Sequence, residues 1–65
     1  MNRNWQNWFV VYDYATKGYD LYNFTTDPLV SLARARQELE PRGYRVIAGP
    51  FNYDTEAEDF IKDIE

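Results

Sequence analysis

The chain has no cysteine and no histidine among its 65 residues, and these two absences remove several kinds of function. Without cysteine there is no disulfide and no thiolate metal site, and without histidine there is no imidazole ligand or base. Apolar runs are short, and none approaches the roughly 20 residues that a membrane-spanning helix needs. Residues 1–8 are polar and lack the basic-then-apolar order of a signal peptide. We therefore expect a cytoplasmic protein that does not bind a membrane.

Residues suited to catalysis are scarce. Nucleophilic and general-base catalysis most often use cysteine, histidine or a serine activated by a neighbouring base, and Ser31 has no such base beside it in the sequence. The carboxylates concentrate in one C-terminal segment that is expected to form an exposed helix rather than a cleft. That segment also lacks the glycine-containing loop with a terminal glutamate that binds Ca²⁺. The sequence predicts no enzymatic activity, no metal and no cofactor.

Aromatic residues, in contrast, make up 18% of the chain. A domain of this length buries only about 60% of the surface that its unfolded chain exposes. Aromatic side chains bury roughly 150–250 Å² each, so a few of them can build a core. We expect residues 1–65 to form a single domain with an aromatic-rich core, present as a monomer or a weak homodimer.

Local patterns predict secondary structure in the order β-β-α-β-α. β-branched and aromatic residues favour the strands, glycine and proline punctuate the turns, and an Asp-Pro pair is a typical helix start. The predicted elements are strands at 8–14, 19–25 and 44–48, a helix from Asp27-Pro28 to Glu40-Pro41, and a last helix from Asp54. Gly49-Pro50 is expected to end the third strand, because proline cannot donate to a strand ladder.

The last helix carries the strongest periodic pattern in the chain. Four apolar residues recur at i, i+3, i+4 and i+7, which predicts one buried face: Ala57, Phe60, Ile61 and Ile64. Thr55 followed by Glu58 is typical of a capping box at the helix start.

These elements predict a two-layer α+β fold. The first strand is the most apolar and suits a central position, so the third strand is expected beside it in an antiparallel, three-stranded sheet of order 2-1-3. Both helices are then expected to cover one face of the sheet. The other face would stay open as an interaction surface.

Negative charge is concentrated at the C-terminal end. Residues 54–65 carry a net charge of −5, whereas residues 1–53 carry +1. Acids in the first turn of a helix stabilise it through the helix dipole, but Asp63 and Glu65 fall at the wrong end for this explanation. A concentrated acidic surface repels nucleic acid and attracts basic protein surfaces. We therefore expect the acidic C-terminal helix to bind a basic surface of a partner protein, such as one that binds nucleic acid. Exposed tyrosines are expected to add contacts to the same partner. The candidate partner-binding residues are Asp54, Glu56, Glu58, Asp59, Asp63, Glu65, Tyr12 and Tyr14.

Two alternatives remain open at this point. Trp8, Val10, Tyr12 and Tyr14 share one face of the first strand, and small sheets stack bases on such aromatic faces. The chain could thus be a glycan- or nucleic-acid-binding module, although scattered basic residues and the acidic segment oppose direct contact with phosphates. It could also be a small dimeric assembly subunit.

One local resemblance involves the third strand and the start of the last helix. Residues 44–51, followed by 55–58, resemble the second half of the SPOR peptidoglycan-binding domain, in which a strand ending in Gly-Pro-Phe precedes a helix with Glu-Ala. The match covers about a third of the chain, and a long hairpin stands where that domain has a strand and a helix. The same segment also resembles the small N-terminal hybrid-binding domain of ribonucleases H, which is basic where this chain is acidic.

As a class, the chain is similar to small phage-encoded inhibitors, including anti-CRISPR proteins and other DNA mimics. Those proteins are short, acidic and without catalytic residues. The similarity implies a non-enzymatic inhibitor that occupies the nucleic-acid-binding surface of its target.

Overall fold

The computed structural model describes residues 7–25 and 29–65. It confirms the α+β class and the predicted order of elements. The elements are β1 (Trp8–Asp13), β2 (Gly18–Asn23), α1 (Leu32–Leu39), a 3-10 turn (Glu40–Arg42), β3 (Tyr44–Phe51) and α2 (Asp54–Ile64).

The three strands form one antiparallel sheet in the order β2-β1-β3, as predicted. β1 and β2 pair in an unbroken register in which Tyr12 lies opposite Tyr19. The β1–β3 ladder has two register shifts, so that Val10 pairs with Ala48 and Trp8 pairs with Phe51. These bulges leave β3 with more residues than β1 over the same length.

The prediction that Gly49-Pro50 ends the third strand is wrong, since β3 continues to Phe51. β3 is an edge strand, and the missing amide of proline can be tolerated at an edge or a bulge. The longer strand places Phe51 opposite Trp8 in the β1–β3 ladder.

One face of the sheet, here called the α1 face, packs against α1. Alternate side chains of a strand point to opposite faces. Phe9 and Val11 therefore share a face, and both are buried in one cluster with Val46 of β3 and with Ala35 and Leu39 of α1. This cluster is the main hydrophobic core.

The opposite face, here called the α2 face, carries the side chains of Trp8, Val10 and Tyr12. Phe51 lies opposite Trp8 across the ladder and so shares this face. Its ring centroid is 5.8 Å from that of Phe60 in α2. Val10 is fully buried but is not part of the α1-side cluster, so α2 provides its cover.

The two helices therefore lie on opposite faces of the sheet, and the expectation that both cover one face is corrected. No Cα atom of α1 comes within 8 Å of one in α2, whereas helices packed side by side would approach more closely. The physical reason is the run of three buried residues 9–11 in β1. A strand whose consecutive side chains are all apolar has to be covered on both faces.

The apolar stripe of α2 is narrower than its sequence pattern predicts. Ala57 is fully buried, while Phe60 and Ile61 are half-buried. Ile64 is 39% exposed, so the prediction that it is buried is wrong. Ile64 is the last residue of the helix, where less of the sheet lies beneath it.

Ser31 is the N-cap of α1, and its Oγ accepts a hydrogen bond of 3.1 Å from the amide of Arg34. The predicted start at Asp27-Pro28 lies outside the described residues. On its exposed side, Arg34 Nε lies 3.6 Å from Glu38 Oε2, a pair with four-residue spacing.

Asn7 connects the start of β1 to two other parts of the chain. It is fully buried and has a positive φ of 65°. Its Oδ1 accepts a 2.8 Å hydrogen bond from the amide of Val30, and its carbonyl accepts one of 3.1 Å from the amide of Phe24. Asn7 therefore holds the end of the hairpin and the approach to α1 against β1.

Candidate protein-binding surface

The first turn of α2 is organised by its own acids. Tyr53 is the N-cap residue and makes no side-chain capping bond, so the predicted capping box from Thr55 to Glu58 is not formed. Instead, Glu56 Oε1 accepts a 3.1 Å hydrogen bond from the amide of Asn52, and Asp54 Oδ1 accepts one of 2.8 Å from the amide of Thr55. Two of the six acids thus have a structural role at the helix start.

All six predicted acids of this segment are exposed. They are Asp54, Glu56, Glu58, Asp59, Asp63 and Glu65. Residues 7–25 and 29–65 contain one ion pair, between Arg34 and Glu38. Lys62 therefore does not pair with Glu58, although the two are four residues apart on α2. The carboxylates of Glu58, Asp59, Asp63 and Glu65 therefore face solvent and pair with no cation of the described residues.

The helix places these acids in two rows. At about 100° per residue, one row contains Asp54, Glu58 and Glu65, and the other contains Glu56, Asp59 and Asp63. The two rows flank the apolar stripe on either side, about 150° apart around the helix. At about 1.5 Å rise per residue the six acids span about 16 Å, or about one acid every 3 Å. Phosphates follow each strand of DNA at about 3.4 Å per step along the axis, so the linear charge density is similar.

Three tyrosines form a second exposed feature, here called the tyrosine cluster: Tyr12, Tyr14 and Tyr19. The ring of Tyr12 lies 5.3 Å from Tyr14 and 5.4 Å from Tyr19, both in edge-to-face geometry. Tyr14 is 55% exposed and Tyr19 is 38% exposed. The sequence identified the first two tyrosines but missed Tyr19. The register of the β1–β2 hairpin would have identified Tyr19, because it places this residue directly opposite Tyr12.

The structure brings the acids and the tyrosine cluster to the same side of the sheet. Tyr12 alternates with Val10 and Trp8 and so lies on the α2 face. α2 itself contacts both β1 and β2, the strands that carry Tyr12 and Tyr19. Tyr12 therefore lies on the face of the sheet that α2 covers, and the ring of Tyr14 contacts that of Tyr12 at the end of this face.

A shallow depression of about 410 Å³ lies at the end of the sheet beside this cluster. It is lined by Tyr14, Glu40, Tyr44 and Arg45. Arg45 is the register partner of Tyr12. Glu40 and Arg45 contribute opposite charges to its rim but do not pair with each other.

The part of the chain that the structure describes contains no group of three or more acidic residues placed to hold a metal ion. None of its helices has the length and apolar character needed to cross a membrane. Comparison of the chain with protein-family models, with curated proteins and with solved structures gave no match.

Proposed function

We propose that this chain is a small non-enzymatic binding protein that inhibits a partner by covering its basic, nucleic-acid-binding surface with α2. The observation that supports the proposal is the set of six exposed acids along α2, which lie in two rows and pair with no cation among the described residues. Taken together, the two rows place about one acid every 3 Å along the helix axis, which is close to the axial spacing of phosphates on one DNA strand, so a basic groove that binds phosphates would attract α2. Small phage-encoded inhibitors, including anti-CRISPR proteins and other DNA mimics, are the class of protein to which this proposal assigns the chain.

Electrostatics give such a complex a fast association and a marked salt dependence. Complementary charge raises the rate of encounter, and ions screen it beyond about 10 Å at 0.1 M salt. The same charge opposes direct binding to nucleic acid and to anionic membranes. The proposed partner is therefore a protein, and the proposed compartment is the cytoplasm, where nucleic-acid-binding proteins are encountered.

A glycan- or nucleic-acid-binding module is the second candidate. The exposed ring of Tyr14 beside the depression at Glu40, Tyr44 and Arg45 favours it, since stacking on aromatic rings and mixed polar groups suits such ligands. Against it, α2 covers part of the face that this function would require to be open. A dimeric assembly subunit has no comparable support among the described contacts.

The proposal is tested with two variants of equal net charge. Asp59→Lys with Asp63→Lys reverses two acids of α2 that make no hydrogen bond in the structure. Glu38→Lys with Glu40→Lys reverses two exposed acids outside α2, at α1 and the 3-10 turn. Each pair of reversals adds four charges, so both variants change the net charge from −4 to 0. Exposed substitutions usually change stability by no more than about 0.5 kcal/mol each, so both variants should fold.

The immobilised wild-type chain is incubated with an extract of the native cell, and retained proteins are eluted with duplex DNA, RNA or salt. We expect retained proteins that bind nucleic acid themselves and are released by the competing polynucleotide. Retention should be lost with the α2 variant and kept with the control variant. Equal retention by the two variants, or proteins that no polynucleotide releases, would refute the proposed function.

A further inference from the structure

We infer that the tyrosine cluster is the second half of the α2 interface and that it receives arginine side chains of the partner. The inference rests on the proposed function and adds the chemistry of the partner: its basic surface presents arginine rather than lysine. The observations that support it are the position of the cluster on the α2 side of the sheet and the exposure of its rings.

The rings of the tyrosine cluster contact one another, and none of the three is among the residues packed against the main hydrophobic core. Tyr12 is half-buried, and its ring centroid lies 5.3 Å from that of Tyr14 and 5.4 Å from that of Tyr19. Tyr12 is therefore the ring that both of the others contact. More than a third of the residue surface of both Tyr14 and Tyr19 stays accessible. Edge-to-face packing uses the edge of one ring and the face of the next, which leaves ring surface free towards solvent.

Arginine is the side chain that best fits a surface combining such rings with carboxylates. Its planar guanidinium stacks on aromatic faces and also forms paired hydrogen bonds with a carboxylate. Lysine offers a compact, strongly hydrated charge that gains less from the rings. A partner with arginines would therefore use both features of this side of the molecule, whereas a partner with lysines would use mainly α2.

The dimensions allow one partner to cover both features. The chain measures 34 × 25 × 16 Å between Cα atoms, and a protein interface of ordinary size buries about 800 Å² on each partner. α2 contacts both β1 and β2, the strands that carry Tyr12 and Tyr19, so the acids and these two tyrosines are carried by elements that pack together.

Arg45 gives the inference an additional test. It lies opposite Tyr12 across the β1–β3 ladder, is exposed, and makes no ion pair with the acids of the described chain. Its charge opposes an incoming guanidinium. Replacing Arg45 by Gln should therefore strengthen binding of an arginine-containing partner by about two- to fivefold, in line with the removal of one nearby like charge.

The experiment uses two peptides as probes, nona-arginine and nona-lysine, at one fixed salt concentration. Titrations are followed by calorimetry and by NMR of the folded protein. We expect both peptides to shift the amide signals of α2. Nona-arginine should bind more tightly and should also shift the signals of Tyr12, Tyr14 and Tyr19. Equal affinities with unmoved tyrosine signals would overturn this inference and leave the proposed function standing. No binding of either peptide would overturn both.

Variants of the tyrosine cluster then test whether its rings cause the difference in affinity between nona-arginine and nona-lysine. Tyr14→Ala with Tyr19→Ala should weaken nona-arginine binding by about 5- to 30-fold and nona-lysine binding by less than about threefold. The matching phenylalanine variant should keep most of the affinity, because the rings remain. Tyr53→Ala is the control, since Tyr53 is also 55% exposed but belongs to no ring pair among the described residues. An equal loss with the control, or no loss with the double variant, would overturn the assignment to the cluster.

Discussion

Replacement of Asn7 by Ala is the most direct test of how this small domain holds its parts together. Asn7 is fully buried, and its Oδ1 accepts the amide proton of Val30 at 2.8 Å. Val30 is itself buried, so water cannot replace the lost acceptor. A buried amide left without a partner costs about 1–3 kcal/mol.

The backbone of Asn7 adds to this cost. Its φ of 65° lies in the left-handed region, which asparagine tolerates better than alanine does. Alanine in that region costs about 1–2 kcal/mol. The two effects together predict a loss of about 2–5 kcal/mol. A domain of this length has a free energy of unfolding of about 3–10 kcal/mol, so the variant should lose a large part of its stability.

Urea unfolding, followed by tryptophan fluorescence and far-ultraviolet circular dichroism, measures the effect. We expect a lower midpoint for Asn7→Ala with an unchanged slope, since the unfolded surface is nearly the same. Asn52→Ala is the matched control, because Asn52 is exposed and uses only its backbone amide, and it should change stability by less than about 0.5 kcal/mol. If the two variants unfold at the same urea concentration, Asn7 does not have the joining role assigned to it.

Two further predictions concern the packing of β3 and α2. Gly49 has a φ of 138°, and a Cβ atom there would lie 2.9 Å from Phe9 Cγ and from the carbonyl oxygen of Trp8, so Gly49→Ala should cost about 2–4 kcal/mol. A urea midpoint equal to that of the wild type would show that β3 shifts away from β1 without penalty. Phe60→Ala removes a half-buried ring that lies 5.8 Å from Phe51, so it should cost about 2 kcal/mol and lower the melting temperature by about 8–16 °C. An unchanged melting temperature in calorimetry would contradict the packing of α2 on its face of the sheet.

Much of the candidate surface could be predicted from the sequence. The exposure of the six acids follows from their positions away from the apolar stripe of α2, and a strand pattern places Tyr12 with Val10 on one face. Tyr19 was missed because its role depends on pairing between strands, which a pattern within one strand does not contain. The register Tyr12–Tyr19 follows only once the hairpin turn is known.

The capping of α2 shows a limit of local motifs. α2 begins at Asp54, as predicted, but the Thr55–Glu58 capping box is not formed, and Glu56 accepts a hydrogen bond from the amide of Asn52 instead. β3 continues to Phe51, and its ladder with β1 contains two register shifts. The sequence thus predicted the residue at which α2 starts but not the hydrogen bonds that satisfy its first turn.

The sequence by itself determined the class of the fold, the strand order 2-1-3 and the concentration of negative charge in one helix, because periodicity, turn residues and charge are local properties. The sequence also contains three consecutive apolar residues in β1, Phe9, Val10 and Val11, and such a run indicates a strand that is covered on both faces. Only the tertiary structure decided that α2 packs on the face opposite α1, since an apolar stripe specifies burial but not the surface that buries it. That choice places the tyrosine cluster on the same side as the acids.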